Sequence, residues 1–472
     1  MNSSGKIVIV GFGNLGQGLI PLLHRHFPNR EIIAIEQQVD AQRAQLAVQM
    51  GIRLFECRVT ETNFERTLRP LLRADDFLLN LAPEVSSRAL LGLAQSRDAF
   101  YLDTGIEPWK YAHGDLSATS NYALREQMLE WRRVSRHSRT ALIAHGANPG
   151  FVSILVKHAL LEMADKVGCA NWCRRIPTRR DEWAELAAAL EIRVIQISER
   201  DTQRADIARV AREFVNTWSV EGFVTECQQP AELGWGTHER RVPGGARVHQ
   251  TGSRAAIELA QRGYETVVKT WTPLHGEFPA YVLTHNEAIS IADYLTVGDS
   301  HRPAYRPTVY YAYRPTVATL ESMQLLDGDR APHVAQRVLK AEIVEGIDEL
   351  GVLLMSGNGT SLWFGSALSI ERTRALAPGN NATSLQVVSS IVAGMQWMAA
   401  HPAAGVVESD EIDHASAFAS ACHYWAPIQR VFTPWRPDQN KAQLQFDEFI
   451  VRDEARDEVR CDFSVAQPEQ IF

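Results

Sequence analysis

Cysteine is scarce: six residues in 472. Their spacing outlines no disulfide framework. "CANWC" carries Cys169 and Cys173 as a lone C-x-x-x-C. Without a second pair it does not read as a zinc site, and no metal is expected. "GTHER" is not H-E-x-x-H, so that metal reading also fails. No apolar run approaches the about 20 residues that cross a bilayer, so no membrane partner is expected. The opening "MNSSGKIVIVGFG" has only a short apolar run, broken by glycines, unlike a secretory leader. A reducing, cytoplasmic compartment is the expectation. A basic excess is missing too. Lys and Arg number 48 against 56 Asp and Glu, a net charge of −8. Nucleic-acid binders leave a basic footprint, so no nucleic-acid partner is expected.

What is present is an ordinary globular balance, 45% hydrophobic and 22% charged. The length allows two or three domains. The first part alternates strand and helix patterns: "KIVIV", "LIPLLHRHF", "EIIAIE", "DAQRAQLAVQMG", "DFLLNLA", "SSRALLGLAQSR" and "AFYLDTG". That alternation predicts an α/β fold, a Rossmann-type doubly wound parallel sheet, over residues 1–150. Residues 151–434 carry β-rich segments separated by turns, predicting a second α+β domain with a mixed or antiparallel sheet. The helical run 383–401 could pack back on the first domain. Residues 435–472 read as a polar tail, an arm at most partly ordered.

"VIVGFGNLGQG" holds G-x-G-x-x-G as Gly11, Gly13 and Gly16. The pattern follows a strand and opens a helix, the context it needs. Gly11 suits the turn, Gly13 the approach of a pyrophosphate, and Gly16 close helix–strand packing. Asn14 and Leu15 begin the helix whose amides would meet the phosphates. Glu36 ends the second strand, where a carboxylate accepts from ribose hydroxyls and repels a 2′-phosphate. No arginine follows until Arg43, so NAD is favoured over NADP. Ligands of open α/β sheets sit at the carboxyl ends of the strands. That nominates Thr60, Leu81, Ala82, Pro83 and Thr104. "HGANPG" places Asn148 and Pro149 in a tight loop, either near the nicotinamide or simply an Asn-Pro turn.

Acids stand in strand-like contexts: Glu84, Glu107, Glu199, Glu221, Glu226 and Asp348. Glu349 reads as surface. Trp109, Trp218, Trp235 and Trp271 lie near these acids in sequence. Carboxylates and an indole face together suit a cationic ligand. His285, in "VLTHNEAIS", could take a proton as a neutral imidazole or could be a satisfied structural residue. "FVNTWSVEGFVTEC" reads as a strand. Alternation then puts Trp218 and Glu226 on one face and Glu221 on the other. A straight strand would hold the first two about 26 Å apart, so either the chain bends, with Gly222 the favoured place, or the two serve distant parts of a long pocket.

The motifs "GFGNLGQG", "YLDTGIEPW", "GANPGFVS", "ERDTQR", "VNTWSVEGFVTE", "QPAELGWGTHER", "THNEAISIADYLTV", "EIVEGIDELGVLL" and "NATSLQV" resemble those of the bacterial homospermidine synthase family, within the saccharopine dehydrogenase-like group. The resemblance implies transfer of an aminobutyl group from putrescine or spermidine to putrescine, with NAD as a tightly held cofactor and no net redox change. It implies a homodimer. It also implies site roles: Trp218 stacks on the ligand. Glu84, Glu107, Glu199, Glu226, His285 and Asp348 bind substrate. Trp218, Glu107, Asn148, Glu199, Glu226 and His285 serve catalysis. At Glu84 the family's pattern has an aspartate, so the charge is kept with a longer reach. Two other readings compete. One is a saccharopine- or carboxynorspermidine-type dehydrogenase, whose carboxylate substrates call for arginine. The other is a non-catalytic NAD-binding sensor of polyamines.

Overall fold

The computed structural model of the chain describes residues 5–111, 116–135, 138–169, 172, 175–328, 333–438 and 443–452. Cys173 of the C-x-x-x-C motif lies outside them. β1 (Lys6–Val10), β2 (Glu31–Glu36), β3 (Arg53–Glu56), β4 (Phe77–Asn80), β5 (Phe100–Asp103) and β6 (Ala141–Ile143) form a parallel sheet with a seventh strand, Val406–Glu408. The order is Val406–Glu408, β6, β5, β4, β1, β2, β3. From Ile7 to Val10 β1 is apolar because both its faces are covered. Ile7 and Ile9 join one core, Val8 and Val10 the other. Gly11 takes φ 99° directly after β1, and a Cβ there would stand 2.8 Å from the Leu81 carbonyl oxygen. Only glycine makes that turn.

Late sequence completes this layer. Val406–Glu408 pairs with β6, and the almost wholly buried helix Ala382–Ala400 packs against helix Asn14–His26. The parallel sheet is therefore not confined to residues 1–150.

The second sheet has ten strands and mixed direction. Ile192–Asp201 runs parallel to Thr308–Arg314 and antiparallel to Ile347–Ser356. Helix Phe151–Val167 covers Ile347–Ser356 and Ser361–Ser369.

Several segments differ from expectation. "FVNTWSVEGFVTEC" is not one strand. Glu213–Asn216 is a strand, and Val220–Gln228 is a helix. Ser219 caps that helix by accepting from the Gly222 amide at 3.1 Å, and Glu221 sits in its first turn. Capping and the helix dipole outweigh the β propensity of Val and Phe here. Gly222 is therefore a helical residue, not a bend in a strand. Likewise "AYVLTHNEAISIA" leaves the sheet at Leu283 and becomes helix Asn286–Tyr294, with His285 at its N-cap. Glu349 is fully buried, accepting from the Leu274 amide at 3.0 Å and lying 2.9 Å from His275. Within the polar tail, Phe446 and Phe449 are buried against Tyr310. Residues 453–472 lie outside the described part.

Candidate active site

A cleft runs along the carboxyl ends of β1, β2 and β4. One wall carries Gly11, Gly13, Asn14, Leu15, Gly16, Glu36, Leu81, Ala82 and Pro83. The other is Trp218–Glu221 with Gln336–Val338 from the second layer. Asn14 joins the walls, donating from Nδ2 to the carbonyls of Thr217 at 3.3 Å and Trp218 at 3.1 Å. Helix Asn14–His26 has no side-chain cap at Gly13. A Cβ at Gly13 would meet nothing within 4 Å. The helix thus presents open amides to a vacant approach, which fits a pyrophosphate. The Glu36 carboxylate accepts from Phe12 at 2.8 Å and Gln37 at 2.9 Å, which fixes it at the ribose end. Arg43 and Arg58 also line this end; the sequence reading had set Arg43 aside. Thr60 does not line the cleft; its amide donates to Asn63.

The cleft continues into a second cavity that shares Leu15, Leu81–Pro83, Trp218 and Glu221. Glu84, Thr104, Glu107, Pro149, Glu226 and His285 line it. No lysine or arginine does, among the described residues. Glu107 accepts from the Glu84 amide at 3.0 Å and from the Tyr111 hydroxyl at 3.1 Å. Burial pushes its carboxyl up to about 7 against those two donors, with Glu226 acting in the same direction as burial. Burial and the nearby Glu84 also raise Glu221.

His285 sits between two carboxylates. Nε2 lies 3.1 Å from Glu226 and Nδ1 lies 3.2 Å from Glu287. Its ring rests on Tyr311, centroids 4.2 Å apart. Burial alone would lower the imidazole, but Glu226 and Glu287 outweigh it and hold it well above its ordinary value. The two flanking carboxylates thus favour the protonated form of this imidazole. Burial raises Glu226 while His285 opposes that rise.

Glu199 and Asp348 do not line the cavity; they lie deeper. Glu199 accepts from Tyr311 at 2.7 Å and from Asn148 at 3.1 Å. Asn148 is thereby committed to Glu199. Asp201 joins this layer, opposite Asp348 across neighbouring strands. Burial raises Glu199 to about 8 and Asp201 to about 6. Asp348 is raised most, by burial and then by Glu199 and Asp201. Both its carboxyl oxygens, and the Tyr313 hydroxyl, are buried without a hydrogen-bond partner. A buried acid cluster with orphaned oxygens fits a cationic group.

Of the four tryptophans near acids, only Trp218 lines the cavity. Trp109 packs on Phe64, and Trp235 and Trp271 pack on the core of the second sheet. Sequence reasoning missed Glu287, Tyr311, Tyr111 and Asp201. Glu287 and Asp201 left local signals, as acids two positions after His285 and Glu199.

The chain is 45% identical over 444 residues to the homospermidine synthase of Blastochloris viridis, covering 92% of each chain. It belongs to the homospermidine synthase family. A second family member, from Mesorhizobium japonicum, is 39% identical over 445 residues, covering 92% of this chain and 91% of the relative. The crystal structure of the homospermidine synthase from Legionella pneumophila, in complex with NAD, superposes with a TM-score of 0.86 at 36% identity. That match covers 96% of this chain and 98% of the other. Within the chain, residues 7–143 match the saccharopine dehydrogenase NADP binding domain and residues 146–421 the saccharopine dehydrogenase C-terminal domain.

Proposed function

We propose that the chain is a homospermidine synthase. It joins two putrescine units into sym-homospermidine and releases ammonia; spermidine serves as an alternative donor, releasing 1,3-diaminopropane. NAD is the resident cofactor, held by Gly11–Gly16 and Glu36. The observation that carries this reading is the cavity beside the nucleotide cleft: acids and Trp218 without a lysine or arginine among the described residues. Putrescine is a dication near neutral pH, and carboxylates pair with its ammonium groups. A saccharopine-type substrate carries carboxylates, which this wall would repel.

When bound, NAD would be held by Gly11–Gly16 and Glu36 and would supply reversible hydride transfer at the donor amine carbon, with no net redox change. The residues handle charge and protons. Glu84, Glu221 and Glu226 on the cavity wall meet the donor's ammonium groups, and the buried acids Glu199, Asp201 and Asp348 behind it favour a cation there. An amine must be neutral to add to the oxidised donor carbon, and Glu107, raised to about 7, is poised to receive its proton. Ammonia leaves after gaining a proton, which the His285 imidazolium can give. The indole of Trp218 stabilises the cationic C=N unit through its ring face, by about 0.5–2 kcal/mol.

A cytoplasmic homodimer is part of this proposal. Among the described residues, no helix is long and apolar enough to cross a membrane.

The deciding test incubates the purified protein with putrescine and catalytic NAD⁺. Homospermidine and ammonia should accumulate while the cofactor is not consumed. No product with intact cofactor sinks the assignment and favours a sensor. Steady consumption of reduced cofactor favours a dehydrogenase.

A further inference from the structure

Glu232, within "QPAELGWGTHER", is a buried acid to which the sequence reading gave no role. It sits in strand Pro230–Gly234 and is 1% exposed. One oxygen accepts from the Asn121 amide at 2.7 Å and from the Thr284 hydroxyl at 3.1 Å; the other accepts from the Tyr122 amide at 3.1 Å. Glu232 thus anchors the start of helix Asn121–Val134, where a carboxylate meets open amides and the positive end of the helix dipole. Burial pushes its carboxyl up to about 7, and its three donors oppose that rise.

The direction of these bonds matters. An ionised carboxylate only accepts. Thr284 therefore gives its single hydroxyl proton to Glu232, and its oxygen is left to accept. Asn121 Nδ2 donates to that oxygen at 3.0 Å. This fixes the carboxamide orientation. Asn121 and Thr284 both line the cavity, and Thr284 directly precedes His285. With its nitrogen donating to Thr284, the Oδ1 of Asn121 is the atom of its carboxamide left to accept. Among the described residues no hydrogen bond to that oxygen is formed within the protein.

We propose that Asn121 Oδ1 is a substrate contact for a neutral amine nitrogen, oriented by the relay Glu232–Thr284–Asn121. Resting on the diamine reading above, it adds a discrimination that the acids cannot make. A carboxylate favours the protonated amine and so opposes nucleophilic attack. An amide oxygen accepts an N–H bond without a net charge to retain the proton. Asn121 is thus a neutral acceptor set among the acids of the wall. Glu232 and Thr284 are positioning residues.

The test measures kcat and KM for putrescine, with bound NAD quantified in every preparation. Assays run at about pH 8.5, where the Glu232 carboxyl is ionised. Asn121→Ala and Thr284→Val should each lower kcat/KM about five- to tenfold, with cofactor content unchanged. Thr284→Ser keeps the hydroxyl and should recover most of the loss. The double variant Asn121→Ala/Thr284→Val should be no worse than Asn121→Ala, since both act through one oxygen. Asn121→Asp should move the acid limb of the pH profile upward, because a carboxylate holds the amine proton. Wild-type kinetics in Thr284→Val, or losses that multiply in the double variant, overturn the relay. Wild-type protein that makes no homospermidine instead overturns the functional reading on which it rests.

Discussion

The indole of Trp218 rests against the bare backbone of Gly222. A Cβ at position 222 would lie 2.9 Å from Cζ3 and 3.0 Å from Cη2 of the ring. Gly222 occupies the first part of helix Val220–Gln228, where alanine would ordinarily gain about 1 kcal/mol. Keeping glycine there gives the indole its position. Gly222→Ala should therefore leave the melting temperature equal or higher while lowering kcat/KM by about 10- to 100-fold. Unchanged kinetics would show that the contact does not position Trp218.

The ring itself should matter through its π face. Trp218 is only half-buried, so its removal costs little packing. Trp218→Ala should reduce turnover more than thermal stability, and Trp218→Phe should keep part of the activity, since a smaller face still attracts a cation. Near-normal steady-state kinetics in Trp218→Ala would remove the cation–π role.

Asp348 should cost the empty protein stability. Burial and its acidic neighbours raise its carboxyl, so the folded state keeps a proton that the unfolded state loses above about pH 3.9. Stability from this group therefore falls as pH rises from there toward the folded value. Asp348→Asn should melt higher than wild type at about pH 8, by an amount worth about 1–2 kcal/mol, and nearly the same at about pH 5. Turnover should be lost, and putrescine should stabilise wild type far more than the variant. A lower melting point for Asp348→Asn at the higher pH would contradict this.

The nucleotide half of the fold was legible because its signals are local. A β-branched run, a glycine turn, a helix and a strand-end acid follow one another from Lys6 to Glu36. Trp218, Glu107, Glu226 and His285 were also legible as cavity residues. The ribbon around Trp218 was misread because Val, Phe and Thr suggest a strand, whereas one serine cap decides for a helix. With Val220–Gln228 helical, the chain from Val220 to Glu226 advances only about 9 Å rather than the about 20 Å of a strand, so no bend in a strand is needed to bring Trp218 and Glu226 to one cavity. Tyr311 stayed hidden because strand pairing, not spacing, brings it beside the strand of Glu199, and strand pairing likewise sets Asp348 opposite Asp201. Glu349 looked like surface for the same reason.

His285 should stabilise the fold as a cation. Its folded value lies above the ordinary one, so its contribution is complete below about pH 6.5 and is lost only as pH rises through the folded value. His285→Gln leaves Glu226 and Glu287 without their partner, at a cost of about 3 kcal/mol near neutral pH. Thermal melts should show a wide gap from wild type at about pH 6 to 7, narrowing under alkaline conditions. A gap that widens with pH would mean that His285 is neutral in the folded protein.

Glu107 should set the acid limb of the rate profile. It must be ionised to receive a proton, and burial places its carboxyl at about 7. kcat/KM should therefore rise with pH through about that value, well below the range near 10 where the substrate's own amines titrate. Glu107→Gln should remove the limb and lower kcat by about 10²- to 10⁴-fold. Tyr111→Phe supplies the finer check. The Tyr111 hydroxyl donates to Glu107 and favours its ionised form. Without that bond the limb should move to higher pH while Glu107 remains competent. A limb that stays in place in Tyr111→Phe, or survives in Glu107→Gln, assigns the proton transfer to another group.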